Sequence, residues 1–137
     1  MQIAFSKHNG VVPVSVMKLT GNLDASNYAS VIAKAQEAYD EGARHLLIDL
    51  SEVPYVSSAG LMSLHSVALI FGGYAMKNGA GRPAFRSVNA QNEKVVRQHV
   101  KLLNPQSAVE EVLDVVGLKQ FLDVHTDLET AVQSFGV

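Results

Sequence analysis

The chain has 137 residues and a mass of 14.7 kDa, with 47% hydrophobic and 18% charged residues, which suits one domain with a single core and leaves no room for a second. A formal net charge of −2 and a pI near 6.2 give no global field of the kind that makes a general nucleic-acid binder, so partners are recognised locally. Cysteine is absent, which excludes a disulfide framework, a thiolate nucleophile and a Cys-based metal site, and is compatible with a reducing cytosol.

The opening "MQIAFSKHNG" alternates like a strand and has no basic stretch followed by an apolar run, so no secretion signal is expected. "HNG" at 8–10 supplies turn chemistry before "VVPVSVMKLTG", which predicts an opening hairpin. Pro13 cannot donate to a ladder and belongs at the start or edge of the second strand. After Gly21, Asp24 or Ser26 can cap a helix whose apolar positions Tyr28, Val31, Ile32, Ala35 and Tyr39 share one face, and Gly42 ends it. "HLLIDL" at 45–50 reads as a strand buried on both faces, so the helix before it implies a right-handed parallel crossover.

"SEVPY" breaks that strand, and a second helix starts at Ser58 with Leu61, Leu64, His65, Ala68 and Phe71 on one side. The stretch from Val53 to Met76 carries no Asp, Glu, Lys or Arg, but Pro54, His65 and several serines mark it as buried in the protein rather than in a bilayer. "MKNGAGRPAFRSVNAQNEKVVRQ", 76–98, is polar and loop-like at its start and holds Arg82, Arg86, Lys94 and Arg97 against Glu93 alone. A connection of this length tends to be functional or mobile. Then come a strand at 99–103 and a helix at 105–117, with Pro105 at its first position and Val109, Val112, Leu113 and Val116 inward. A short strand at 120–124 precedes a closing helix capped by Thr126 or Asp127, with Leu128, Ala131, Val132 and Phe135 inward. The expected fold is α/β, with a mostly parallel sheet of about five strands and about four helices.

Candidate chemistry is sparse. Histidines 8, 45, 65, 99 and 125 are scattered, with no pair at the spacing of helical zinc ligation, so no metal is expected, and His65 reads as a core or interface histidine. A hydrolase elbow at Ser58 needs glycine two residues before and after it; Gly60 supplies one, but Val56 occupies the other place. "GGYAMKNGAG" at 72–81 lacks a Gly-Lys-Ser or Gly-Lys-Thr and reads as a helix exit. The basic segment has only Phe85 as an aromatic platform, which suits a solvated or protein-contact loop better than nucleic acid. The serine pair Ser57–Ser58 is more telling. A helix N-terminus has unsatisfied N–H groups and partial positive charge, so a serine there can cap, and a phosphate there is tolerated.

"LLIDLSEVPYVSSAGLMSL" resembles the signature of STAS domains, in particular the bacterial anti-sigma factor antagonists. "LTGNLDASNYASV" at 19–31 resembles the same family's second strand and first-helix entry, and "VVGLKQFLDVHTDLETAV" at 115–132 its usual end. The resemblance implies a single STAS domain over 1–137, with a polar and basic insertion around 76–98 that is not part of the short family plan. It also implies a cytoplasmic, non-enzymatic switch that needs no cofactor, binds no nucleic acid and does not insert into a membrane.

Unphosphorylated, such a domain binds an anti-sigma factor that is also a serine kinase and so frees a sigma factor; phosphorylation of a serine at the helix start prevents binding, and a serine phosphatase can reverse it. By position that serine is Ser58, with Ser57 the lesser candidate, standing where many members have Asp. Asp24 matches an acidic residue near the phosphosite; Ala59, Gly60 and Met62 complete its surroundings, Met62 in place of a frequent glycine. Two other STAS roles fit the chain: a scaffold assembling with itself or other STAS proteins, suggested by the insertion, and a small-molecule or lipid-binding transport component, suggested by the charge-free run.

Overall fold

The computed structural model describes residues 1–72, 90–120 and 122–136, with 90–94 described by backbone alone. Strands β1 (Gln2–Asn9) and β2 (Pro13–Thr20) form the expected hairpin, and Pro13 opens its strand, where no ladder donor is missed. Helix α1 (Tyr28–Asp40) leads to β3 (Leu46–Glu52), which pairs with β2 in parallel. Gly42 adopts a φ of +111°, a left-handed conformation that lets the chain leave the helix. Helix α2 (Ser58–Phe71) follows, then α3 (Ala90–His99), β4 (Val100–Leu103), α4 (Ser107–Val115), β5 (Asp123–His125) and α5 (Leu128–Ser134). The sheet order is β1-β2-β3-β4-β5, antiparallel in the hairpin and parallel elsewhere.

Period-two alternation assigns the two faces of the sheet. Met17 and Leu19, Leu46, Ile48 and Leu50, and Val100 and Leu102 turn to a large core shared with α1, α2 and α4. Val14, Val16, Leu47 and Leu103 turn to the other face, where Ala131, Val132 and Phe135 of the α5 segment cover them. Burying each such aliphatic or aromatic side chain contributes about 1.5–3 kcal/mol, so β3 is anchored on both faces, as its apolar run requires.

Several details differ from the sequence reading. Helix α2 is not one-sided: every residue from Ser63 to Phe71 is buried, as suits a helix apolar around its circumference. A fifth helix, α3, occupies the end of the basic segment; its adjacent Val95 and Val96 give no helical periodicity, yet Val96 is fully buried against α2. The remaining expectations for 76–89 lie outside the described residues. In α4 the N-cap is Gln106, so Pro105 precedes the helix, and Val116 at its end is exposed rather than inward. Leu128 is likewise exposed, while Asp127 caps α5 by accepting from the Thr130 N–H at 2.9 Å.

Candidate functional site

The junction between β3 and α2 is built by a second strand-like contact. Leu23, just past β2, forms an isolated parallel bridge with Val56. The Leu23 N–H donates to the Tyr55 carbonyl and the Ser57 N–H donates to the Leu23 carbonyl, each at 2.9 Å. This stitching brings Asp24, one residue further, to the edge where α2 begins. Gly60 is what permits the approach. A Cβ there would lie 2.5 Å from the Leu23 carbonyl oxygen and 2.9 Å from a Val56 methyl, so only hydrogen fits.

Helix α2 starts at Ser58, and the cap is Ser57. Its backbone is extended (φ −85°, ψ 178°) and its Oγ accepts from the Gly60 N–H at 3.3 Å. Ser58, the first helical residue, is exposed, and among the described residues its hydroxyl makes no hydrogen bond. No acidic residue lies in the first turn, so the positive end of the helix dipole is not neutralised from within. Ala59 and Met62 are half-buried beside Ser58, and Gly60 is buried.

Asp24 is held rigidly. Its Oδ1 accepts from the Ser26 hydroxyl at 2.5 Å and the Ser26 N–H at 2.9 Å, and these two bonds hold its carboxyl below the usual carboxylate range. Asn27 ties the same loop, accepting from the Asp24 N–H and donating to the Asn22 carbonyl. Neither Asp24 nor Ser26 caps α1 through its side chain: the N-cap is Asn27, whose side chain faces back into this loop. The edge therefore carries a fixed anion and a free hydroxyl at a helix N-terminus.

The hydrolase elbow is not formed. Among the described residues Asn104 is the one non-glycine with a positive φ, so Ser58 does not take the strained backbone that exposes a nucleophile. His65 is buried within α2, which agrees with a core position.

The sequence reading did not anticipate a cluster at the opposite end of the sheet. His45, just before β3, stacks on His99 at the end of α3, with ring centroids 4.8 Å apart, and meets the Phe135 ring edge-on. Lys101 and Asp123 lie beside them. The signal available was topological: residues that directly precede neighbouring parallel strands share one end of the sheet.

Residues 10–75, which include Asp24 and the serine pair, match the family model described as "Mlab, STAS domain". The chain has the fold of the anti-sigma factor antagonists. An anti-sigma factor antagonist from Mycobacterium paratuberculosis superimposes with a TM-score of 0.68 at 17% identity, covering 97% of this chain and 92% of that one. A Thermotoga maritima protein gives 0.66 at 13% identity, with 96% and 92% covered. The Bacillus cell fate determinant SpoIIAA in its phosphorylated form gives 0.54 at 19%, with 93% and 96% covered. Among the curated proteins no sequence matches. No helix among the described residues is long and apolar enough to cross a membrane.

Proposed function

We propose that this protein is a single-domain anti-sigma factor antagonist, a non-enzymatic module that binds an anti-sigma factor serine kinase while Ser58 is unmodified. The observation that carries this reading is the division of roles in the serine pair: Ser57 is engaged as the cap, and Ser58 offers an exposed, uncommitted hydroxyl. A phosphate on Ser58 adds about −1.5 to −2 charges at the positive end of a helix, where the N–H groups and dipole accept an anion, so the fold survives the modification. Its effect is on the partner. The added charge stands on the edge that already carries ionised Asp24, and a binding partner complementary to a neutral hydroxyl loses contact and meets repulsion.

The test is incubation with the cognate kinase and ATP, followed by mass spectrometry. Phosphate is expected on Ser58 and not on Ser57, and Ser58→Asp is expected to weaken the complex at least about tenfold, equivalent to about 1.4 kcal/mol. An unmodified Ser58, or an unchanged dissociation constant for Ser58→Asp, overturns the reading.

One observation favours a second reading, a small-molecule-binding STAS component. A cleft of about 710 Å³ lies between the hairpin and the C-terminal end of α1, with Phe5, Val12, Val14 and Ala38 on its walls and Lys34 and Arg44 also lining it. Its volume suits a small ligand. Native mass spectrometry of the purified protein decides this reading: a co-purifying ligand supports it, and a bare chain removes it.

A further inference from the structure

The leading ends of β3, β4 and β5, with the α5 segment, border a half-open cavity of about 470 Å³, at the opposite end of the parallel strands from Ser58. Its lining is basic: His45, Arg97, His99 and Lys101 face it, with Asp123 the one carboxylate among the described lining residues. Lys101 is the unusual member. It sits within β4 on the α5 face, only 7% exposed, where charged side chains are rarely found without close partners.

Its partners are distant. The ammonium donates one long hydrogen bond to the Ser134 carbonyl (3.4 Å), lies 3.7 Å from an Asp123 oxygen and stands 5.1 Å from the Phe135 ring centroid. An ammonium has three donors, and charge-assisted N–H···O bonds close at about 2.7–2.9 Å, so Lys101 keeps donor capacity toward the cavity. The Asp123 carboxylate is also 3.7 Å from Arg97.

Beside Lys101 stand the stacked imidazoles of His45 and His99. The His99 Nδ1–H donates to the Arg44 carbonyl at 2.7 Å, because that oxygen can only accept, and Nε2 is the ring's remaining polar atom. Burial, and then the His99 ring beside it, hold His45 below the ordinary histidine value, and an anion against it opposes both effects.

We propose that this cavity is a binding site for a small molecule carrying a phosphate group, held by Lys101 together with His45 and His99. A phosphate supplies the close acceptors that Lys101 lacks and the negative charge that favours the protonated form of His45. The volume lies within the range of small-molecule pockets and leaves space beyond the phosphate for a substituent. The surrounding charged and titratable groups are Arg44 before β3, Arg97 on α3, and Asp123 and His125 on β5; α5 contributes the Ser134 carbonyl.

The test is a titration of the full chain with inorganic phosphate and, separately, phenyl phosphate, at constant ionic strength set with sodium chloride, read by histidine side-chain NMR. Saturable shifts are expected at His45 and His99 and none at His8 on the hairpin. Saturation by inorganic phosphate alone assigns the site to the free ion, and tighter saturation by phenyl phosphate assigns it to a phosphate ester; both support the proposal. Lys101→Met should weaken binding at least tenfold and Lys101→Arg should retain it. Independently of any variant, either probe should raise the titration midpoint of His45 in the unaltered chain. Shifts no larger than at His8, equal shifts in Lys101→Met, or an unmoved His45 midpoint overturn the proposal.

Discussion

Ser57 and Ser58 are adjacent in sequence and opposite in surroundings, and that difference is measurable. Ser57→Ala removes the acceptor that the Gly60 N–H uses, and loss of such a cap costs about 1 kcal/mol. Ser58→Ala removes a hydroxyl with no hydrogen bond among the described residues and should leave stability unchanged within about 0.5 kcal/mol. Denaturant melts of the two variants check this, and equal losses would contradict the assignment of the cap. That a serine at this junction could cap was legible from the sequence, because the pair stands between an apolar run and a helical pattern. Which serine caps was not legible. It depends on the Leu23 carbonyl taking the Ser57 N–H, which holds Ser57 in an extended conformation and leaves Ser58 as the first helical residue. No pattern within residues 55–64 encodes a contact with residue 23.

At the scale of elements, legibility followed how each segment is buried. The hairpin and α1 appear where their patterns placed them, β3 where its continuous apolar run did, and α5 where its expected cap Asp127 did; α4 is shorter at both ends than the helix at 105–117, and β5 is offset by a few residues from the strand at 120–124. The sequence of helix α3 has no helical apolar period, and among its described side chains Val96 is the buried one, so periodicity passed it over. Helix α5 is the converse. At seven residues it is too short to persist alone, and it covers one face of the sheet through Ala131, Val132 and the following Phe135. Phe135 is fully buried and meets both His45 and Lys101. Phe135→Ala should therefore cost about 3–5 kcal/mol, the range for removing a core aromatic. It should also speed hydrogen exchange in β4 and β5 more than in the hairpin. A loss below about 1 kcal/mol, or exchange raised uniformly, would show that α5 is not what covers this face.

For the whole molecule, the histidines and the carboxylates lose their stabilising effect in different ranges of pH. Burial lowers both His45 and His125 below the ordinary histidine value of 6.5; the nearby His99 adds to the effect at His45, and Lys101 adds to it at His125 while Asp123 opposes it. With folded values below the unfolded value, the unfolded chain binds more protons, and folding stability falls as pH falls. That stability is fully present above about 6.5 and is lost as pH drops through the folded values. The carboxylates Asp24 and Asp127 are also lowered, from an ordinary value of 3.8, by hydrogen bonds from Ser26 and Thr130, and their contribution is lost only in stronger acid. The interval from about pH 6.5 to 5 consequently isolates these two histidines from the two carboxylates. Urea midpoints should be level between pH 8 and 7 and decline below 6.5, and the decline should become shallower in His45→Gln and His125→Gln. Phosphate that binds the folded chain against His45 raises that histidine's folded value, so the same series repeated with phosphate should show a shallower decline in the unaltered chain and no change of slope in Lys101→Met. A decline unaffected by either histidine substitution would place the acid sensitivity elsewhere in the molecule.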